Sequence, residues 1–174
     1  MPVQTPAAFP AARLRRLRRT GALRDLVAEN RVTAADLIWP VFIREGQGVE
    51  EPIPSMPGVS RLSLDVMLRK AAEAHAAGVG AICLFPYTDQ SLRTEDCAEA
   101  WNPDNLTNRA IRLLKAELPD MAVMTDIALD PYNANGHDGF VVGGEIVNDE
   151  TVAALVKMAL AQCEAGADIL GPSD

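Results

Sequence analysis

The most regular feature of the sequence is a series of short apolar runs separated by longer amphipathic segments. Continuous apolar runs of this kind are typical of parallel strands that other parts of the protein cover on both faces. We expect the first run to be such a strand, buried on both of its faces. Four runs predict four strands: Leu37–Ile43, Ala81–Phe85, Met121–Leu129 and Asp168–Gly171.

Helix signals stand before the last three of these runs. Each predicted helix begins at residues whose side chains cap helix N-termini, and each is followed by a glycine or a proline, which stop helices. The predicted helices run from Ser63 or Asp65 to Ala77, from Asn105 or Thr107 to Leu118, and from Asp149 or Thr151 to Ala165.

The repeated order of helix, glycine and strand predicts α/β architecture, with βα units around a parallel sheet. Right-handed crossovers leave two candidates, a closed (β/α)8 TIM barrel and an open doubly wound sheet. The glycine-rich phosphate loops that would favour the open sheet are missing, and Gly143-Gly144 is interpreted as a turn. A barrel usually takes about 250 residues, so 174 residues with about four βα units predict its first half. Unpaired strand edges are a liability in water, and the sequence is therefore expected to be incomplete.

The first 35 residues differ from the rest and predict an N-terminal arm. Six of the sixteen basic residues lie between Arg13 and Arg24. Leucines in the same stretch predict one side of an interrupted helix, which Gly21 breaks. A basic run in an otherwise acidic chain favours docking on a neighbouring acidic subunit. We therefore assign residues 1–35 to a basic, oligomer-contacting arm and residues 36–174 to the half barrel.

Composition and charge narrow the class of protein. The chain is 48% hydrophobic and 23% charged, as ordinary globular domains are, and its net charge of −8 argues against nucleic acid as a partner. No run of about 18 apolar residues is present, so no membrane span is predicted. A secretory signal begins with positive charges that an apolar segment follows, whereas here three prolines precede the first arginine. We therefore expect a cytoplasmic protein. The three cysteines form no CxxC pair, and Cys83 is predicted to be a buried thiol.

Two loops after predicted strands are candidates for functional surface, because α/β enzymes carry their chemistry at the carboxyl ends of strands. Gly46–Gly58 holds three prolines and predicts a stiff loop, either structural or part of a binding rim. Asp126, Asp130 and Asp138 follow the third strand, with His137 beside the last of them. Single aspartates are common in turns, but three so close together favour a functional site.

The acidic loop also carries a family resemblance. Its segment TDIALDPYNANGHDG closely resembles the signature region of porphobilinogen synthase, also called 5-aminolevulinate dehydratase. Further similar segments follow the family's order: RLRRLRR, DLIWPVFI, SMPGVSR, EAWNPDNLTNRAIR, IVNDET and AGADILGPSD. The resemblance implies a TIM barrel whose N-terminal arm wraps a neighbour in a homo-hexamer or homo-octamer. It also implies a lyase that condenses two molecules of 5-aminolevulinate to porphobilinogen, on the way to haem and other tetrapyrroles.

The resemblance further implies two lysines that form Schiff bases with the substrates. Such a lysine belongs in the mouth of the barrel, with a lowered pKa. The chain has three lysines, Lys70, Lys115 and Lys157, and all of them fall in predicted helices on the outside of the barrel. The family's lysines belong to later strands, so we expect this segment to lack the nucleophiles and to be inactive alone.

Four residues at the predicted strand ends are the candidate site by resemblance. Asp126 is expected to hold a polar partner or to position substrate, and Ser173 to hydrogen-bond the substrate near the first lysine. Asp130 and Asp138 are expected to bind substrate, orienting its amine by charge.

The acidic loop bears on metal binding as well. Zinc-dependent relatives hold their metal with three cysteines, whose places are taken here by Ala128, Asp130 and Asp138. Thiolates select zinc, whereas carboxylates favour harder ions. We therefore expect no tight zinc site, with Asp130 and Asp138 as candidate ligands for magnesium or, more weakly, potassium. Asn135 stands where the family has a histidine, which removes another ligand, and Asn105 stands where it has a glycine.

Two other interpretations compete with the first half of a synthase. One is a shortened, non-catalytic relative that acts as an oligomerisation or regulatory module through its arm and exposed strand edges. The other is a different barrel enzyme of the class I aldolase type, against which the missing strand-end lysine counts equally. Further strands with lysines beyond Asp174 would favour the first half of a synthase over the non-catalytic module.

Overall fold

The computed structural model describes residues 7–173 of the chain. The first six residues of the predicted arm and the last residue of the chain lie outside this range. Contacts divide the chain into two units, residues 1–33 and residues 34–174, and each is described by itself. The assignment of residues 1–35 to an oligomer-contacting arm stays a prediction.

The first unit holds short helical segments in its basic stretch. A 3-10 turn spans Arg16–Arg18, and helix α1 spans Gly21–Leu26. Thr20 has an extended backbone, and its hydroxyl accepts a hydrogen bond from the amide of Leu23 at 3.2 Å. The predicted helix is therefore interrupted, but not by Gly21, which begins α1; the break lies at the capping residue Thr20.

The second unit alternates strands with helices along most of its length. Its elements are β1 (Ile38–Ile43), β2 (Glu50–Pro52), β3 (Ser60–Leu62), α2 (Leu64–Ala76), β4 (Ala81–Pro86), α3 (Leu106–Glu117), β5 (Ala122–Ile127), β6 (Val141–Val142), β7 (Glu145–Ile146), α4 (Asn148–Ala165) and β8 (Ile169–Pro172). Short 3-10 helices lie at Ala34–Asp36, Gln90–Leu92 and Ala98–Trp101. Within the described residues, no helix has the length and apolarity needed to cross a membrane.

Six of these strands form one sheet in the order β2-β3-β1-β4-β5-β8. Every neighbouring pair is parallel except β2 with β3, which is antiparallel. The strands β1, β4, β5 and β8 correspond to the four apolar runs, and a helix precedes each of the last three, which confirms the predicted βα units. They lie side by side in chain order, as in a barrel, whereas a doubly wound sheet reverses its order at a switch point.

The core lies between the sheet and its helices. Alternate residues of the strands, such as Val41, Ile82 and Val123, are buried in one cluster with residues of α2 and α3. The opposite face, here called the inner face, carries Ile38 and Pro40 of β1, and both are exposed. The prediction that this strand is buried on both faces is therefore wrong for its first half, where the side chains of the inner face remain exposed.

Two loops with glycines differ in how well they were predicted. The Gly46–Gly58 segment is not only a stiff loop, because it contains the edge strand β2, which pairs with β3. Gly143 and Gly144 form the turn between β6 and β7, as predicted. Their φ angles are +63° and +89°, and two consecutive positive φ angles are what a type I′ hairpin turn requires.

Candidate active site

A row of side chains crosses the inner face at the carboxyl ends of the strands, and we call it the mouth row. The strand register places Arg61, Phe42 and Phe85 side by side on β3, β1 and β4. Asp126 continues the row on β5, one position beyond the last paired residues of β4 and β5, and Gly171 of β8 pairs with it. The ring centroids of the two phenylalanines are 5.5 Å apart. The row therefore has an aromatic middle, a cation at one end and a carboxylate towards the other.

The structure brings together two residues of the predicted site, Asp126 and Ser173. The Ser173 hydroxyl, just after β8, donates a hydrogen bond to Oδ1 of Asp126 at 2.6 Å. Because the hydroxyl proton points to the carboxylate, the lone pairs of the serine oxygen remain available to accept from a substrate ammonium or hydroxyl group. Both residues were predicted from the sequence. Their contact was not, because it depends on the pairing of β5 with β8.

A small cleft lies beside Asp126 at the mouth of the sheet, with a cavity volume of about 130 Å³. Asp130 is partly buried in its wall, so two carboxylates of the predicted site face the same space. The cleft is lined by Phe42, Phe85, Pro86, Asp126, Ala128, Asp130, Pro131, Tyr132 and Met158.

The loop that carries Asp130 is held by hydrogen bonds of the buried residue Asn133. Sequence reasoning did not single out this residue. Asn133 is 1% exposed, and its Oδ1 accepts from the amide of Asn135 at 2.7 Å. Its Nδ2 donates to the carbonyl oxygen of Gly139 at 3.2 Å, and a backbone bridge joins it to Thr94. The loop is thus tied both to itself and to the segment that follows β4.

Tyr132 supports the floor of the cleft. Its side chain is buried, and its hydroxyl lies 3.1 Å from Oγ1 of Thr107 on α3. Burial raises the pKa of Tyr132, with nearby carboxylates acting in the same direction, and this outweighs the opposing hydrogen bond with Thr107. The phenol therefore stays neutral and serves as a hydrogen-bonding support.

Cys83 lies on the inner face of β4 and is 7% exposed, which confirms the predicted buried thiol. Burial raises its pKa, and the negative charge of Asp126 raises it further. The side chain therefore stays a protonated thiol and packs as a small apolar group.

The remaining acidic-loop residues do not converge on the cleft. Asp138, His137 and Asn135 are exposed, and Asp138 is not among the residues that line the cleft. Ala128 is buried at one of the positions where zinc-dependent relatives place a cysteine, and its methyl group offers no ligand atom. Among residues 7–173, no group of three or more His, Cys, Asp or Glu side chains is placed to hold a metal ion. The expectation that the loop has no tight zinc site stays a prediction.

Each of the three lysines lies on an outer helix and has a partner in a neighbouring segment. Lys70 of α2 bonds Glu50 at 2.5 Å, and Lys115 of α3 bonds Asp168 at 2.9 Å. Lys157 of α4 stands 5.2 Å from the ring centroid of Trp101. None of the three is at the carboxyl end of a strand, where a Schiff-base nucleophile would be needed.

A second group of side chains, here called the rim cluster, surrounds the Arg61 end of the mouth row. The guanidinium carbon of Arg61 lies 4.5 Å from the ring centroid of Tyr87, and that of Arg93 lies 6.0 Å from it. Glu51 pairs with Arg61 at 3.0 Å and also with Arg44. Sequence reasoning missed this cluster, because its members come from four separate segments whose only link is the strand register.

Parallel strands in chain order, helices on one face and ionisable groups at the strand ends define the chain as part of a (β/α) barrel of the kind that enzymes use. The family profile of delta-aminolevulinic acid dehydratase matches residues 11–174. The chain belongs to this family.

Individual relatives agree with the family profile. The chain is 58% identical over 95% of its length to delta-aminolevulinic acid dehydratase of Rhodobacter capsulatus, and covers 50% of that protein. It is 51% identical over 98% of its length to the protein of the same name from Bradyrhizobium diazoefficiens, covering 48% of it. The chain thus spans about half the length of the curated relatives it matches.

A solved structure shows the same fold. The delta-aminolevulinic acid dehydratase (porphobilinogen synthase) of Toxoplasma gondii, in complex with the reaction product porphobilinogen, is 47% identical to the chain, with a TM-score of 0.88. The alignment covers 94% of this chain and 47% of that one. The predicted partial TIM barrel is therefore confirmed.

Proposed function

We propose that this chain forms part of a porphobilinogen synthase, the lyase that condenses two molecules of 5-aminolevulinate to porphobilinogen with loss of water. The observation that carries the proposal is the similarity of nearly the whole chain to a structure that holds porphobilinogen. The mouth row supports it, since it places ionisable groups where barrel enzymes bind their substrates.

The residues of the site would take distinct parts in holding the substrates. Asp126 fixes the Ser173 hydroxyl by accepting its hydrogen bond, and the Ser173 oxygen then accepts a hydrogen bond from a substrate nitrogen or hydroxyl. Asp130, in the same cleft, adds negative charge that attracts an ammonium group. Asp138 does so from the exposed part of the loop.

The nucleophiles belong to residues outside this chain. All three lysines lie on outer helices, each has a partner in a neighbouring segment, and none stands at the carboxyl end of a strand. The segment alone is therefore proposed to be inactive, and it becomes part of an enzyme when the rest of the barrel completes it.

Metal ions are expected to bind this site weakly. Ala128 offers no ligand atom, and the carboxylates of Asp130 and Asp138 are hard ligands. We infer that the loop holds no tight zinc ion and that magnesium, or potassium more weakly, is attracted by its charge.

The first unit supports assembly into a homo-oligomer, a hexamer or an octamer. Phe9, Leu14 and Leu17 are exposed in the described part of this unit, next to its arginines. Apolar groups beside a basic run suit docking on a subunit that carries excess negative charge. Location in the cytoplasm stays a prediction from the order of prolines and arginines.

The test compares this chain with a completed chain, in which residues 1–174 are followed by the residues of the Rhodobacter capsulatus relative that lie beyond the matched segment. Porphobilinogen formation from 5-aminolevulinate is measured for both, with and without a chelator. We expect product from the completed chain alone, with the chelator having little effect. Product from residues 1–174 would disprove the assignment of the nucleophiles, and a completed chain that folds without activity would favour the non-catalytic module.

A further inference from the structure

The acidic loop holds the one place in the sequence where glycine follows asparagine, Asn135-Gly136. An asparagine can lose its amide when the backbone nitrogen of the next residue attacks its side chain. Glycine has no Cβ atom to shield that nitrogen or to restrict the approach. Every other asparagine of the sequence precedes a residue that has a Cβ atom. Asn135 is therefore the first candidate for this modification.

The surroundings of this pair are open. Asn135 and Gly136 are both exposed, and among the described residues the carboxamide of Asn135 has no hydrogen-bond partner. A Cβ atom placed on Gly136 would meet no atom within 4 Å beyond its two chain neighbours, and the φ angle of Gly136 is +68°. The carboxamide can therefore rotate towards the backbone nitrogen of Gly136 without displacing another side chain.

A second pair of a related kind, Asp138-Gly139, lies in tighter surroundings. Aspartate can form the same cyclic intermediate, but here the glycine is buried. A Cβ atom on Gly139 would lie 2.8 Å from the side chain of Ile146, and the carbonyl oxygen of Gly139 accepts from Nδ2 of Asn133 at 3.2 Å. Because this packing fixes the backbone of Gly139, the structure favours reaction at Asn135 over reaction at Asp138.

Asn133 determines how often the reactive geometry is reached. Its Oδ1 accepts from the amide of Asn135 at 2.7 Å, and its carbonyl oxygen accepts from the amide of Gly136 at 3.1 Å. The second of these bonds must open before the nitrogen of Gly136 can attack. It lies in an exposed turn, and exposed loops open at a low cost in free energy. The rate of the reaction therefore follows the opening of the loop.

We propose that Asn135 is a site of spontaneous deamidation. The backbone nitrogen of Gly136 loses its proton and forms a bond to Cγ of Asn135, while the bond from Cγ to Nδ2 breaks. Ammonia leaves, and a cyclic succinimide remains. A water molecule then opens the ring at either of its carbonyl groups. The products are aspartate and isoaspartate, in which the backbone runs through the side chain.

The modification changes the loop in two ways. A carboxylate replaces the neutral amide, in the same loop as Asp130 and Asp138, so the chain becomes one unit more negative than its net charge of −8. Isoaspartate also lengthens the backbone between the two amides that Asn133 holds, so the two hydrogen bonds cannot both keep their present geometry. The loop that forms a wall of the cleft thereby loses part of its support. The reaction depends on the loop alone and not on the proposed function.

The test follows the completed chain during incubation near neutral pH, with digestion and peptide mass spectrometry at intervals. The matched variant is Asn135→Gln, because the longer side chain of glutamine cyclises more slowly. Asn30 is the internal control, since it is exposed and precedes Arg31. The same chain unfolded in urea shows the reaction without the fold, and an isoaspartyl methyltransferase labels isoaspartate selectively.

We expect Asn135 in the folded chain to lose its amide about 10-fold faster than Asn30, because glycine leaves the attacking nitrogen accessible. Aspartate and isoaspartate should both appear at position 135. Isoelectric focusing should show a more acidic species that grows in wild type and not in Asn135→Gln. Equal rates at Asn135 and Asn30 in the folded chain, with fast loss at Asn135 only in urea, would overturn the proposal. Aspartate without isoaspartate would overturn the succinimide route.

Discussion

At the scale of single residues, the hydrogen bond from Ser173 to Asp126 links two strands at the point where substrate is expected. We predict that Ser173→Ala in the completed chain lowers kcat/KM for porphobilinogen formation about 10-fold, because one hydrogen bond to a charged group is lost. Steady-state kinetics measure this, with Ser55→Ala in an exposed loop as the control. An unchanged kcat/KM would exclude Ser173 from the site.

Asp168 holds the beginning of β8 against β5. One of its oxygens accepts from the amide of Val123 at 2.8 Å and from Nζ of Lys115 at 2.9 Å. Burial opposes ionisation, but these two bonds outweigh it and hold the pKa of Asp168 below its usual value.

A carboxyl group whose folded-state pKa is lowered stabilises the fold above its unfolded pKa, and this stabilisation is lost as pH falls through the folded pKa. We predict that Asp168→Asn lowers the free energy of unfolding of the completed chain at pH 7. The difference from wild type should shrink as pH falls below about 4. Urea unfolding across this pH range measures it, with the exposed Asp104→Asn as the control. A difference that does not change with pH would contradict the account.

The residues of the site were predictable only in part. Asp126 and Ser173 were named by resemblance, and the structure brings them into contact; the buried thiol of Cys83 was predicted from its apolar neighbours. Arg61 and Asn133 were not found, because a side chain acquires its place in a site from strand register and loop closure. Neither of these is visible in the local pattern of the sequence.

At the scale of elements, α3 depends on its first turn. Oδ1 of Asn105 accepts from the amide of Asn108 at 2.8 Å, and Nδ2 donates to the carbonyl oxygens of Glu99 and Ala100 at 2.9 and 3.1 Å. The buried amide thus caps the helix and also anchors the segment before it.

We predict that Asn105→Ala lowers the free energy of unfolding of the completed chain by about 2 kcal/mol, because a cap and two further hydrogen bonds are lost together. Chemical unfolding followed by circular dichroism measures this. Asn148→Ala, at the exposed start of α4, should cost much less, because its amide bonds only the neighbouring Asp149. Equal effects of the two substitutions would show that the anchoring bonds contribute little.

The main elements were predictable because their signals are local. Apolar runs and helix stops predicted β1, β4, β5, β8 and the three long helices within a few residues. The strands β2 and β3 were missed, because three-residue strands such as Glu50–Pro52 carry charged residues and a proline and form only through pairing. The exposure of β1 was missed because an apolar run shows only that burial of the strand is favourable. It does not show that other residues of the chain bury it.

At the scale of the whole molecule, the inner face of the sheet determines how the chain behaves alone. Ile38 is 48% exposed and Ile169 is 40% exposed, and β8 has no partner on its outer edge among the described residues. The unpaired backbone groups of an edge strand can pair with a strand of another molecule, so an apolar edge favours association.

We predict that residues 1–174 expressed alone bind a hydrophobic dye strongly and associate or unfold without a sharp transition. Dye fluorescence, light scattering and calorimetry measure this, and the completed chain is the control. A soluble monomer of residues 1–174 with a single cooperative thermal transition would contradict it.

The most direct test of the central claim, that this chain supplies the substrate-holding half of a synthase and not its nucleophiles, is borohydride trapping. Residues 1–174 and the completed chain are each incubated with 5-aminolevulinate and borohydride, which reduces a Schiff base to a stable amine, and the modified lysines are located by mass spectrometry. We predict an adduct in the completed chain only, on lysines beyond residue 174. An adduct on Lys70, Lys115 or Lys157 in either protein would contradict the account.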